Sequence, residues 1–355
     1  MLNEYNEYKM TIYRLDPLQD PRWMDLLRHH PATSMFHTPG WLDALRRTYR
    51  YVPVAFTTSP PNAELRNGVV YCQIKSWATG TRLVSLPFSD HCQPLVEDVL
   101  ELQLILEYLQ RHAREHGCKY VELRPLSDDL LANGSYFSRS ATYGFHKIDL
   151  RPPLESIYRG FHDSCVRRKI RKGERELTYE AGRSETLVKK FRHLLLLTRR
   201  RHQIPPQPLA WFRNLIDCLG NDLTIHVVSS GTDPVASIIT LAYNKTLIYK
   251  YGASDAKFHN LGGTSLLFWK AIQEGKRLGA EEFDLGRSEL DDPGLSAFKE
   301  HLGGIGSKLN YYRYPASPRL KSVSGPVLPY LRQAFAHMPD AIFSGVGQLL
   351  YRHMG

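Results

Sequence analysis

The chain has 355 residues, of which 42% are hydrophobic and 23% charged, and a formal net charge of +10. These totals fit an ordinary folded protein of about two domains and exclude a disordered, collagen-like or disulfide-dense chain. No apolar run is long enough to span a bilayer and residues 1–10 are polar, so a cytoplasmic protein is expected.

In chain order, residues 22–29 read as a short helix. Thr38 and Pro39 then form an N-cap and a first helical position, opening a helix through Leu42, Leu45 and Tyr49. Residues 51–57, 68–76 and 81–86 are strands, separated by Pro60-Pro61 and Gly80. A helix over 97–116 stops at Gly117, and 119–123 is a strand. Residues 143–150 close the first domain, expected over 10–150, and Arg151-Pro152-Pro153 is the linker. A basic helix is expected over 154–176, and further helices over 187–202 and 209–219. Strands follow at 223–229, 235–243 and 246–251.

A Gly-Gly-Thr turn at 262–264 opens an amphipathic helix bearing Leu266, Leu267, Trp269, Ile272 and Leu278, which ends at Gly279. Residues 281–285 form a strand, 294–302 a shorter helix and 307–314 a closing strand. The helix–Gly–strand unit at 112–124 repeats at 274–287, with Gly117 matching Gly279 and Glu122 matching Asp284. The second domain is expected over 154–315. Beyond it, 316–355 reads as an amphipathic helical tail, with Leu328, Leu331, Phe335 and Met338, then Ile342, Val346, Leu349 and Leu350, at helical spacing. The tail either packs on the body or touches a membrane surface.

The order of several pieces resembles the FemAB-like transferases, tandem members of the GNAT acyltransferase superfamily. The pieces are Tyr-Gly-Ala-Ser at 251–254, Leu-Leu-Phe-Trp at 266–269, Phe-Asp-Leu-Gly at 283–286, Gly-Leu-Ser-Ala-Phe-Lys at 294–299, Gly-Gly at 303–304 and Tyr-Tyr-Arg-Tyr-Pro at 311–315. The resemblance implies an α/β (α+β) fold of two tandem GNAT-like domains facing each other across a cleft. It also implies transfer of an acetyl or aminoacyl group to an amine, on a phosphate-bearing cell-envelope precursor or a polysaccharide. The donor substrate would be acyl-CoA or an aminoacyl-tRNA, with no permanently bound cofactor. The chain shows no long charged heptad hairpin that would make an added RNA-binding arm, which favours a small donor. Such a protein would be cytoplasmic or peripheral at the inner face of the membrane.

Four groups of residues carry candidate chemistry. Residues 151–202 hold 15 Lys+Arg against 6 Asp+Glu. Within them Arg167, Arg168, Arg171 and Lys172 suit phosphate oxygens, and the resemblance places an acceptor-phosphate segment here. His259, Gly262, Gly263 and Thr264 precede a helix, whose exposed N–H groups and dipole attract anions. The resemblance equates this turn with the coenzyme A pyrophosphate loop, though His259 and Thr264 depart from the usual pattern. Lys299, in Phe-Lys-x-x-x-Gly-Gly, matches a functional lysine of the family, and a fixed ammonium can stabilise an oxyanion. Asp284 could orient the amine, take its proton, cap a loop or pair with Arg287. Tyr249, Tyr251, Tyr311 and Tyr312 alternate along two strands, so some face a cleft and some the core.

Other chemistries find no support. Gly-x-Ser-x-Gly, Gly-x-x-x-x-Gly-Lys-Ser/Thr, His-Glu-x-x-His and Cys-x-x-Cys are all missing from the sequence. Cys72, Cys92, Cys118, Cys165 and Cys218 are scattered without metal-ligand spacing, so reduced thiols and no metal are expected. The alternative reading is a non-catalytic RNA- or membrane-binding protein that keeps the fold.

Overall fold

Caps set the first helices. Asp20 accepts from Arg22 N to start α1 (Pro21–His29), and Thr38 accepts from Trp41 N at 3.3 Å to start α2 (Pro39–Tyr49), with proline opening each. The computed structural model describes residues 11–129, 131, 137–316, 335 and 338–354. A short β1 (Tyr13–Leu15) pairs with β2 (Val52–Thr57), and β2, β3 (Val69–Ser76) and β4 (Gly80–Ser85) run antiparallel. α3 (Val99–Glu115) then crosses to β5 (Tyr120–Leu123), which lies parallel to β4.

After β6 (Ser138–Asp149) and α4 (Leu154–Gly160), a π turn (Asp163–Arg167) runs into α5 (Arg168–Glu176). The same plan of elements then recurs. β7 (Thr178–Gly182), α6 (Glu185–Arg201) and α7 (Leu209–Leu219) precede an antiparallel set of β8 (Leu223–Ser230), β9 (Asp233–Tyr243) and β10 (Thr246–Ser254). α8 (Gly263–Arg277) crosses to β11 (Glu282–Ser288), parallel to β10. α9 (Pro293–His301) and β12 (Ile305–Tyr314) complete the copy. Gly117 and Gly279, at φ 61° and 82°, end the two crossover helices in the left-handed conformation that turns the chain into β5 and β11.

The last strand of each copy changes places. β6 follows β5 in the chain but pairs with β11, β12 follows β11 but pairs with β5, and β6 and β12 pair with each other. The outer edge of each parallel pair is thereby covered by a strand of the other copy. One sheet of order β1-β2-β3-β4-β5-β12-β6-β11-β10-β9-β8-β7 results, symmetric about its central β12–β6 pair. On one face a single core unites α1, α2, α6 and α7, with Trp41 edge-on to Trp211 at 5.3 Å. On the other face, one core lies under α3 and a second under α4, α5 and α8.

Three expectations need correction. The helix expected over 154–176 is broken after Gly160: Phe161 turns into the core against Trp269, and His162 starts a new turn by accepting at Nδ1 from Cys165 N. The sequence reading lacked β1 and β7; β7 is an edge strand with Thr178, Glu180 and Ala181 exposed, so it shows no apolar alternation. The tail stripe is also rephased. Within α10 (Asp340–Met354) the inward residues are Phe343, Gly347 and Tyr351, whereas Ile342, Leu349 and Leu350 face outward. The first half of the tail stripe, Leu328 and Leu331, lies outside the described residues.

α10 is tied to both halves. Tyr51 donates to Tyr351 O at 2.9 Å, Arg82 to His353 O at 2.7 Å, and Arg200 pairs with Asp340 at 2.6 Å. Phe343 is fully buried and Leu349 is 62% exposed. Phe343→Ala is therefore expected to destabilise the fold by about 3–5 kcal/mol, and Leu349→Ala by less than about 0.5 kcal/mol. Denaturant midpoints check this; equal effects would mean that α10 does not pack as described.

Candidate active site

The start of α8 is built for close approach. Gly262, at φ 78°, would place a Cβ 2.3 Å from Lys169 O, so only glycine lets α5 lie against this turn. Gly262 is the N-cap residue, and no side chain caps the helix. The N–H groups of the first turn thus point out with the positive end of the helix dipole behind them. His259, on the preceding 3₁₀ turn, lies 3.0 Å from Ser254 Oγ through Nε2. Burial, then the Arg201 charge, lowers its pKa, with Lys169 adding to the effect against Asp255.

These groups line a cavity of about 310 Å³. Lys169, His259, Gly262, Gly263 and Thr264 line it, together with Ser254 and Ser265. Apolar side chains line it too, Tyr249, Phe258, Phe268, Leu295 and Phe298, and so does Lys299. Anion-binding groups and apolar side chains thus share one space.

Lys299 owes its position to a kink in β11. Register slips between Asp284 and Arg287, and Gly286 sits in the kink at φ 70°. Two carbonyls at this kink, Gly286 O and Arg287 O, accept from Lys299 Nζ at 2.7 and 3.1 Å. α9 carries the lysine, and Asp292 caps that helix by accepting from Leu295 N. The side chain is 2% exposed. Burial pulls its pKa from 10.5 down to about 8, against the raising charges of Asp90, Asp284 and Asp292. Folding therefore disfavours the ammonium relative to the neutral amine by roughly 3 kcal/mol. Two of its three N–H donors are committed to carbonyls, which leaves one for the cavity.

Asp284 does not line that cavity. Its Oδ2 lies 2.9 Å from His91 Nε2 and its Oδ1 accepts from Gly286 N at 2.7 Å. With His91, Gln93 and Lys147 it faces a second, smaller cavity of about 200 Å³. Asp284 and Lys299 nevertheless meet at one residue: the carboxylate holds the N–H of Gly286 and the ammonium holds its C=O. A second carboxylate adjoins the kink. Asp90, from the first copy, pairs with Lys250 at 3.0 Å and lies 3.9 Å from Arg287 Nε. Burial pushes its pKa up, but Lys250 and Arg287 outweigh burial and hold it below the ordinary value.

Of the four tyrosines, only Tyr249 lines the cavity. Lys250 is an extra residue in β10, so Tyr249 and Tyr251 take opposite faces although two apart. Tyr251 accepts from Trp211 Nε1 in the core. Tyr311 donates to Asp90 O and accepts from Arg287, and Tyr312 packs near α3. Arg167, Arg168, Arg171 and Lys172 do not line the cavity either; Arg168 and Arg171 are exposed, and Arg167 and Arg171 share Asp163. The cluster's contribution is Lys169, absent from the candidates because the π turn resets the helical phase before α5. Its signal was present: Gly173, four residues on, marks the helix face that meets α8. His91 and Asp90 carry no local signal, since their partners are far away in sequence.

Residues 163–300 match the family model described as Acetyltransferase (GNAT) domain. Every residue lining the larger cavity falls inside that segment. No curated protein matches the sequence. Among solved structures, FemX is similar with a TM-score of 0.64 at 13% identity, covering 85% of this chain and 97% of that one. A tandem GNAT protein from the clavulanic acid biosynthesis pathway gives a TM-score of 0.55 at 12% identity, covering 87% and 99%. L-PGS from Bacillus licheniformis gives 0.53 at 16% identity, covering 90% and 98%. At such identities the likeness is one of fold, and it runs through both copies of the repeat. Residues 163–300, which enclose the cavity, thus form a GNAT acetyltransferase domain, and the chain as a whole has the fold of FemX and of the tandem GNAT protein.

Proposed function

We propose that the larger cavity binds acyl-CoA and that the acyl group passes to an amine of a cell-envelope precursor or polysaccharide. The observation that carries this reading is that an uncapped helix N-terminus, flanked by Lys169 and His259, and a buried lysine line one cavity together with apolar side chains. Phosphates suit the helix start and a thioester suits the apolar lining.

In the proposed reaction the amine nitrogen attacks the acyl carbonyl. A tetrahedral oxyanion forms, the C–S bond breaks with its electron pair, and coenzyme A leaves as a thiolate that takes up the proton shed by nitrogen. Lys299 donates its remaining N–H to the oxyanion, held in place by the Gly286 and Arg287 carbonyls. A buried ammonium kept at a stability cost is the kind of group found at functional sites. Asp284 acts through Gly286 as a positioning residue.

Lys299→Met removes the charge and keeps most of the stem. Single-turnover acyl transfer with donor bound should fall about a hundredfold to a thousandfold, with donor affinity little changed. The wild-type rate should also decline as pH rises through about 8, where the ammonium is lost, and Lys299→Arg should lack that limb because arginine stays charged. A Met variant with the wild-type rate would remove Lys299 from the chemistry. A rate that climbs through this pH only when Lys299 is present would make it a base instead.

Lys169→Gln is expected to weaken coenzyme A binding about tenfold and to flatten its salt dependence. The double variant Arg168→Gln, Arg171→Gln should leave both unchanged, because neither side chain reaches the cavity. Titration calorimetry with coenzyme A at two ionic strengths reads the difference. The reverse pattern would move the donor's phosphates to the outer face of α5. Coenzyme A that fails to bind while charged tRNA does would replace the donor.

A further inference from the structure

Another cluster lies beside the active-site cavity. His162 begins the π turn, Cys165 follows one turn later, and His301 is the last residue of α9. One ligand atom of each lies within 4.8 Å of the other two, and among the described residues this is the one group of three or more His, Cys, Asp or Glu side chains so arranged. The spacing His-x-x-Cys puts the first two on one face of a single turn. The third arrives from the far end of the domain. The backbones are already joined there, with His162 N donating to His301 O at 2.9 Å and the two rings 4.5 Å apart. His162 is exposed and the other two half-buried, so an ion can enter from solvent.

We propose that His162, Cys165 and His301 bind a Zn²⁺ ion, with water as the fourth ligand. One thiolate and two imidazoles form a set suited to zinc and unsuited to calcium or magnesium, which take oxygen. Tetrahedral zinc, with bonds of about 2.0–2.3 Å, holds its ligand atoms roughly 3.5 Å apart. Closing the cluster by about an ångström brings the ligand atoms to this spacing. Binding gives the ion the thiolate lone pair and releases the Cys165 proton to solvent; no electron is transferred.

The ion would brace the active site from outside. His301 stands two residues beyond Lys299 on α9, and Cys165 stands four residues before Lys169, where the π turn enters α5. One metal thus links the helix that presents the proposed oxyanion donor to the helix that presents a phosphate-side lysine. The metal site itself rests on side chains that do not line the cavity, so it stands or falls separately from the donor assignment.

Cobalt(II) reports on such a site directly. The untagged full chain, stripped of metal with a chelator and reduced, is titrated with Co²⁺ and then with Zn²⁺. One equivalent should give the sulfur-to-cobalt charge-transfer band and the intense visible bands of four-coordinate cobalt, and zinc should displace them. Cys165→Ser should abolish the charge-transfer band, and His301→Gln should weaken Co²⁺ binding by more than about a hundredfold. Unfolding midpoints of the metal-free variants should lie close to that of the metal-free wild type, since Cys165 and His301 are only half-buried at the edge of the core. Zinc should also slow amide exchange at α9 in the wild type and not in His301→Gln. Two results would overturn the proposal: no saturable cobalt spectrum in the wild type, or a spectrum that persists in Cys165→Ser and so belongs to another cysteine.

Discussion

The kink in β11 is the constraint on which the active site depends. A strand that skips a register must leave backbone groups without ladder partners, and buried groups of that kind are costly unless side chains satisfy them. Here two side chains meet the need, and a third lies beside them. Asp284 takes the Gly286 N–H from one side, Lys299 takes the Gly286 and Arg287 carbonyls from the other, and Asp90 lies against Gly286 with its charge opposed by Lys250 and Arg287. The lysine is thereby fixed to backbone, not to a carboxylate. Its charge is left uncompensated at close range and faces the cavity.

Strand exchange makes that arrangement possible. Because β6 and β12 change places, the sheet runs through both copies without an internal edge, and side chains of the first copy reach the second. His91 and Asp90 precede α3, yet both act on β11. Charge is concentrated along this seam. Glu122, buried like its repeat partner Asp284, binds Arg124 and Arg313, and Arg287 stacks over Tyr143 at 4.2 Å. Glu122 is thus ion-paired and Asp284 is hydrogen-bonded by His91 and Gly286 N, conditions under which a buried carboxylate is tolerated. Tandem GNAT architecture is thus one continuous scaffold here, with a cavity in the second copy and supports drawn from the first.

Local signals in the sequence led to local features. Thr38 and Pro39 marked a helix start, Gly117 and Gly279 marked two equivalent helix ends, and the repeat they defined is the real one. The glycine turn at 262–264 and Lys299 came from physical reasoning joined to a family resemblance, and they share one cavity. What escaped was whatever depends on a phase slip or a distant partner. One extra residue in β10 sends Tyr251 into the core while Tyr249 stays in the cavity. A π turn rotates α5 so that Lys169, and not its arginine neighbours, reaches the cavity. His162, Cys165 and His301 read as unrelated residues until the fold joins them. Periodicity cannot register these events, because each breaks the period it relies on.

The central claim is that Asp284 and Lys299 serve one function through Gly286. A double-mutant cycle on single-turnover acyl transfer tests it, using Asp284→Ala, Lys299→Met and the combination, each checked for folding by near-ultraviolet circular dichroism. Groups that act as a unit are non-additive. The account predicts a double variant no slower than Lys299→Met alone, since an already absent ammonium cannot be misplaced. A double variant slowed by the product of the two single factors would contradict it, and would give Asp284 a role of its own in the chemistry.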